Sequence, residues 1–320
     1  MQNKFITMWL ATTASALLCA GAYAAQEYPQ KPIRVVTSAP GGGNDLVSRL
    51  VAPGLTASLG KQVIVDNRPS GVIPGQIVAN AAADGYTLLL AGTDMWLNPL
   101  TQKSPYDPLK SFATIAIAAS APNVLDVNPT LGVNTVKELI ALAKTKPGTL
   151  NYGSSTVGGV SHLAAELFNA MAGVKIVHIP YKGTGPGLTA LIGNEIQVMF
   201  PNVAASLPHI KSGRIKGLAV TTAKRSQLLP DFPTVTESGL PGYTFATMYG
   251  VFAPRGTPAA VIRRLHQEFA AALNQQQVKE RLAAAGLEVV ASSPEELATA
   301  VKAEMTSLGK IIKDNNIRVE

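Results

Sequence analysis

The chain has 320 residues, enough for two domains of ordinary size. It carries 27 basic and 20 acidic residues for a net charge of +7, but charged residues make up only 15% of it, against about 25% in a typical soluble protein. No cluster of lysine and arginine with interleaved aromatics marks a nucleic-acid surface, and the mild positive surplus suits anionic solutes.

Residues 1–24 read as a secretory signal peptide. Lys4 supplies the positive start, Met8 to Ala20 the apolar stretch, and Ala22-Tyr23-Ala24 the small-residue cleavage site. The apolar run falls short of the about 20 residues of a membrane anchor, and Leu18 before Cys19 argues against lipid attachment. Cleavage after Ala24 removes Cys19, the only cysteine, so the exported protein has no thiol for a disulfide or for catalysis.

From there short apolar runs alternate with helical patterns. Strands are predicted near 33–37, 62–66, 87–91, 113–119, 149–152, 175–179, 196–200, 215–221 and 247–252, an α/β alternation. The helix near 45–59 contains Pro53 and Gly54, which predict a kink or break after about two turns. Thr135 with Glu138, and Ser293 with Glu296, form capping boxes, and Thr257-Pro258 places proline at a helix start. The last stretch predicts helices at 258–275, 276–285 and 294–315 around a short strand at 287–290. Proline and glycine cluster at Asn123 to Pro129 and at Pro230 to Gly242, which read as crossings between domains. The expected division is 25–126 with 246–320 as one discontinuous domain and 127–245 as the other.

Two of the predicted strands end in glycine-rich turns that open helices. The first is Ala39-Pro40-Gly41-Gly42-Gly43-Asn44-Asp45, the second Gly153-Ser154-Ser155-Thr156-Val157-Gly158-Gly159-Val160-Ser161-His162. The first N–H groups of a helix lack intrahelical partners and the helix dipole adds positive charge there, so both turns suit an anion. Without a Cβ, glycine lets the backbone itself approach the ligand. Neither turn is a phosphate motif: no Gly-Lys-Ser/Thr follows, and Leu46 stands where a dinucleotide fingerprint needs its third glycine. The pair reads as facing halves of one carboxylate cleft.

Catalytic alternatives fail on pattern. Serine and histidine share the second turn, yet no Gly-x-Ser-x-Gly elbow occurs. His162, His178, His209 and His266 lack metal-ligand spacing, so neither metal nor cofactor is expected.

Beyond these turns the chain resembles the solute-binding receptors of tripartite tricarboxylate transporters, the Bug family. The matching stretches are Pro40-Gly41-Gly42 with Asp45 and Arg49; Asn67-Arg68-Pro69; Asp84 to Leu89; Asn151 to Ser155 with His162-Leu163; Pro180-Tyr181-Lys182-Gly183; Leu218 to Thr222; Phe232 to Val235 with Glu237-Ser238-Gly239; and Ala253-Pro254 with Gly256-Thr257-Pro258. The resemblance implies a periplasmic Venus-flytrap protein, type II-like, whose two α/β domains close on a small carboxylate for delivery to transporter subunits in the membrane. A monomer is expected. A sensor that presents its ligand to a signalling partner would share the same site. Carried over residue by residue, the resemblance places ligand contacts at Ala39 to Gly43 with Asp45, and at Ser154, Ser155, Thr156, Gly158, Gly159, Ser161 and His162. Three positions depart from the family's usual pattern. Ser70 to Gly75 replaces a Gly-Ala-Gly-Gly run, Pro201 before Asn202 replaces an aspartate, and Tyr249 replaces a tryptophan.

Other candidates flank the turns. Thr93 and Asp94 follow a strand at its carboxyl end, where α/β clefts collect ligands. Tyr181 and Lys182 follow another, and Asn202 a third. The cues to ligand type conflict: Asp94 points to an amino or hydroxylated group, while Trp96 with Val72-Ile73 points to an aromatic acid.

Overall fold

A computed structural model describes residues 28–69, 72–101, 103–155 and 157–314. The segment read as a signal peptide, Ser70 and Gly71 of the departing run, and Thr156 lie outside the described residues. Two sheets organise the rest. The first has β1 (Ile33–Thr37), β2 (Val63–Asn67), β3 (Thr87–Gly92), β4 (Phe112–Pro122), β10 (Ala246–Pro254) and β11 (Glu288–Val289), in the order β11-β4-β10-β3-β1-β2. The second has β5 (Val124–Val127), β6 (Asn151–Ser154), β7 (Val177–Pro180), β8 (Val198–Met199) and β9 (Lys216–Val220), in the order β7-β6-β8-β5-β9. Each sheet mixes parallel strands, joined through helices, with antiparallel strands at the crossings.

Both core faces of the first sheet are apolar, as a sheet covered on two sides requires. Ile33, Val35, Leu88 and Leu90 face one cluster; Val36, Leu89 and Ala91 face the other. Against the first cluster lies α1 (Gly43–Leu59), which buries Val47, Leu50, Val51, Leu55 and Leu59. Of the kink or break expected at Pro53, the break does not occur, and the helix runs through it. The buried stripe holds the helix together despite the missing hydrogen bond. Gly54 lies against Ala272 and Gln275, where an added Cβ would fall 3.2 and 3.1 Å from their side chains.

The chain crosses between sheets twice. Asn123 separates β4 from β5, and residues 221–245 return the chain to β10. Asn123 knots these crossings together: its carbonyl accepts from the Thr221 N–H at 2.9 Å, its side-chain amide donates to the Phe200 carbonyl at 2.8 Å, and Phe245 N–H donates to the Thr221 carbonyl at 2.8 Å. The first crossing was expected as a linker and instead continues as β5. All four of its residues are buried, including Asp126, whose carboxylate accepts from the Ser206 hydroxyl. Burial pushes the Asp126 carboxyl well up, and the acidic residue hid the strand's apolar character in the sequence.

The remaining helices are α2 (Ile73–Ala79), α3 (Asp94–Thr101), α4 (Val136–Thr145), α5 (Val160–Ala172), α6 (Thr184–Ile192), α7 (Val203–Lys211), α8 (Ala259–Leu273), α9 (Gln276–Ala284) and α10 (Pro294–Asp314). The second capping box forms in full, and at the first the Glu138 carboxylate accepts from Asn134 N–H at 2.7 Å, one residue before the cap. Thr135 Oγ1 accepts from Glu138 N–H at 3.1 Å, and Ser293 and Glu296 exchange bonds of 2.7 and 3.1 Å. The helix after Pro258 begins at Ala259, with proline as its N-cap.

Candidate functional site

In both sheets the parallel strands point their carboxyl ends at the same kind of rim, where the next helix starts. On the first sheet the rim is built from the turns after β1 and β3, which pair side by side. On the second it is built from the turns after β6, β7 and β8, also neighbours.

The first turn exposes backbone. Ala39, Pro40, Gly41 and Gly42 are all exposed. Gly42 is the N-cap of α1, in an extended conformation and without a side-chain cap. The turn is held from behind by Asp45, whose buried carboxylate accepts from Gly41 N–H at 3.0 Å, Asn67 Nδ2 at 2.8 Å and Arg49 Nε at 2.8 Å. These donors hold the Asp45 carboxyl below the usual carboxylate range, although its burial opposes them. Asp45 therefore shapes the loop, with Gly41 at φ +88°, where glycine is favoured. Gly43 has a different reason to lack a Cβ: one would lie 2.2 Å from the Tyr249 hydroxyl, which covers it.

A cavity of about 440 Å³ opens over this turn. Gly41, Gly42, Gly43, Asp45, Leu46 and Arg49 form one wall, and Thr247 and Tyr249 on β10 with Ala121 on β4 another. Ala285, Gly286 and Leu287 close the third side, and Asn202 reaches in from the second sheet. Of this lining the sequence reading offers Gly41–Gly43, Asp45 and Asn202 as ligand residues, and it passes over Leu46, Arg49, Ala121, Thr247, Tyr249 and 285–287. Tyr249 was legible only as a departure from the family pattern. Gly286 reads in the sequence as an ordinary helix-ending glycine, yet it meets the second sheet's α7, where an added Cβ would lie 2.5 Å from Ala204 Cβ.

Thr93 and Asp94 adjoin this wall. Thr93 is fully buried and its hydroxyl accepts from Met248 N–H at 2.8 Å, tying β3 to β10. Asp94 is exposed but ringed by protein, and burial pushes its carboxyl up. Trp96 is not at the rim. It is fully buried, packs on Phe252 and donates through Nε1 to Glu304 at 2.6 Å. The same burial pushes the Glu304 carboxyl up to about 7.

The second turn is built from side chains. Gly159 is the N-cap of α5, again extended and without a side-chain cap. Ser161 Oγ accepts from Ser155 N–H at 3.0 Å and lies 3.1 Å from Ser155 Oγ. His162 Nδ1 accepts from Gly158 N–H at 2.8 Å, which leaves the imidazole proton on Nε2. The His162 ring stacks on His178 at 3.9 Å, and His178 stacks on Tyr152 at 4.9 Å. Ser154, fully buried, hydrogen-bonds His178 Nε2 at 2.7 Å. Burial in this stack, with His178 alongside, lowers His162 to about 4. Ser154 and His162 thus brace the turn from behind, while Ser155, Gly158 and Gly159 are only partly covered. Tyr181 and Gly183 donate their N–H groups to the carbonyls of Ser154 and Ser155, which joins the third turn to the second, and Lys182 stands exposed on it. The second turn does not line the 440 Å³ cavity.

Among the described residues no cluster of histidine, cysteine and acidic side chains could hold a metal ion, and no helix is long and apolar enough to cross a membrane.

Comparison with known proteins matches this arrangement. A sequence model described as tripartite tricarboxylate transporter family receptor matches residues 47–317. Protein BugT of Bordetella pertussis is 33% identical over 302 residues, covering 92% of this chain and 93% of that one. The solved structure of R. palustris Rpa4515 with adipate is 36% identical, covers 91% of this chain and 99% of that one, and superposes with a TM-score of 0.69. A TctC solute-binding protein from Polaromonas, with no ligand, is 26% identical, covers 90% and 99%, and superposes with a TM-score of 0.84. The two sheets are the two lobes of a periplasmic-binding-protein fold, and the chain belongs to the tripartite tricarboxylate transporter receptors, the Bug proteins, which are solute-binding receptors and not enzymes.

Proposed function

We propose that this chain is exported to the periplasm, binds a small carboxylate between its lobes and hands it to the membrane subunits of a tripartite transporter. The observation that carries the reading is the pair of helix N-termini with glycine caps, α1 and α5, each free of a capping side chain. Four or five N–H and hydroxyl donors, at about 0.5–1.5 kcal/mol each for neutral bonds and 1.5–3 for charge-assisted ones, reach the roughly 8 kcal/mol of a micromolar complex. No buried arginine is needed.

The lobes 25–126 with 246–320 and 127–245 act as the two jaws, hinged at Asn123 and the 221–245 return. The second turn stands outside the cavity wall, and closing of the lobes brings it to the ligand. The protein acts as a monomer.

A thermal-shift screen of the protein lacking residues 1–24, against mono-, di- and tricarboxylates, amino acids and aromatic acids, tests the reading, because binding raises the melting temperature by mass action. At least one carboxylate is expected to raise it, with a smaller radius of gyration in solution scattering. If no carboxylate does, the reading is wrong.

A further inference from the structure

Of the two conflicting ligand cues, the aromatic one loses its ring. Trp96 is a core residue anchored to Glu304 and Phe252, which leaves only Val72 and Ile73 of that cue. Asp94, the other, remains at the rim.

The charges around the first turn are matched with one exception. Asp45 pairs with Arg49, and Asp66 pairs with Arg34 and Arg68. Among the described residues Asp94 has no cationic partner. Its carboxylate is braced by the N–H groups of Asp94 and Met95 that open α3, and the other groups it influences are the Tyr106 and Tyr249 hydroxyls, which burial and this carboxylate both push up. Asn44 Oδ1 is buried without a hydrogen-bond donor among the described residues, while the Asn44 amide nitrogen donates to Ser38 Oγ at 3.0 Å.

These two acceptors converge on Gly92. A Cβ there would fall 2.8 Å from Asp94 Oδ1 and 3.2 Å from Asn44 Oδ1, so the absent side chain is what lets them approach. Gly92 pairs directly with Tyr249, whose ring covers Gly43 of the first turn. Asn44 directly follows Gly43, so Asp94, exposed at the end of β3, borders the first turn. An unmatched carboxylate beside an anion site opposes a plain anion, because like charges repel at short range. It favours a ligand that brings its own donor.

We infer that the rim at the end of β3 selects carboxylates carrying a hydrogen-bond donor beside the carboxyl group, an ammonium first and a hydroxyl second, with Asp94 as the residue that receives it. The inference rests on the carboxylate reading above. It separates this chain from a receptor for unsubstituted diacids such as the adipate held by the R. palustris relative.

Calorimetric titration with matched sets tests it: propionate, lactate and alanine; succinate, malate and aspartate; glutarate, 2-hydroxyglutarate and glutamate. In at least one set the amino form is expected to bind about tenfold or more tighter than the unsubstituted acid, with the hydroxy form between them. Asp94→Asn keeps an acceptor for the α3 N–H groups and removes the charge. It is expected to abolish most of the preference for the amino form while leaving the unsubstituted acid unweakened. An unsubstituted acid binding as tightly as its amino form, or an aspartate or glutamate preference that survives Asp94→Asn, overturns the inference and leaves the carboxylate reading standing. If no carboxylate in any set binds, and none in the broader thermal-shift screen does, both fall together.

Discussion

The two glycine turns open their helices in the same way and are held in opposite ways. Gly42 and Gly159 are both extended N-caps without a capping side chain, so each helix presents bare N–H groups. Behind the first turn stands one ionised side chain, Asp45, with three donors on it. Behind the second stand neutral side chains, the Ser155–Ser161 pair and a stack of His162, His178 and Tyr152, with a carboxylate only at the far end, where the Tyr152 hydroxyl donates to Glu166 at 2.6 Å. A buried carboxylate behind the proposed anion site is tolerated only because Gly41, Asn67 and Arg49 satisfy it. The neutral stack needs no such compensation, and it ties the second turn to β7 through His178. The same uncapped helix start is thus supported by charge in one lobe and by packing in the other.

That contrast is most open to attack at Asp45. Asp45→Ala strands three donors, and we expect a loss of about 2–3 kcal/mol, read as a fall in melting temperature of several degrees. The folded-state pKa of Asp45 is lowered, so its contribution is present above the ordinary carboxylate value and disappears as pH falls through the folded one. The difference between wild type and variant should shrink in acid. A loss independent of pH would mean that the charge of Asp45 is irrelevant.

Next in size is Gly42→Val, directed at binding and not at the fold. Gly42 has φ −88°, which any residue adopts, and an added Cβ meets nothing closer than the Ala39 carbonyl at 4.0 Å. Melting temperature should stay unchanged while affinity for a carboxylate found by thermal shift drops about tenfold or more, roughly 1.4 kcal/mol. The corresponding change at Gly158 is not clean, because φ is +72° there; Gly158→Val is expected to cost about 1–2 kcal/mol of stability from backbone strain alone. Equal stability for the two variants, in denaturant unfolding, would contradict this difference.

Smaller again is Ser161→Ala, which removes an acceptor from Ser155 N–H and should cost about 1 kcal/mol at every pH. A separate effect, carried by pH, comes from His162→Gln compared with wild type between pH 6.5 and 4. Because the folded His162 pKa is lowered to about 4, the unfolded chain takes up its proton first as pH falls. Wild type therefore loses its advantage over the variant across that window and keeps it above pH 6.5.

Much of the fold was legible in the sequence because strand periodicity, capping boxes and glycine turns are local signals. The nine predicted strands correspond to β1–β4 and β6–β10, and the short run at 287–290 to β11. The failures came where tertiary burial outweighed local chemistry. β5 contains Asp126 and was read as a crossing, since nothing local reveals that Ser206 answers it from α7. Pro53 promised a break that the buried stripe of α1 overrides. At the site, both turns could be found from glycine and serine spacing. The walls contributed by β10 and by 285–287 could not, because they reach the first turn only through an antiparallel strand and a returning C-terminal segment distant in sequence. The roles of Thr93, Ser154 and His162 as braces were likewise hidden: a side chain's partner, not its type, decides whether it faces a ligand or supports the loop that does.

The claim that the two turns are halves of one clasp is tested most directly by following backbone amides in ¹⁵N-resolved NMR during titration with a bound carboxylate. The account predicts that the amides of Gly42, Gly43 and Asn44 and those of Gly159, Val160 and Ser161 move together, with one dissociation constant for both groups. Movement confined to one turn, or two different constants, would contradict it.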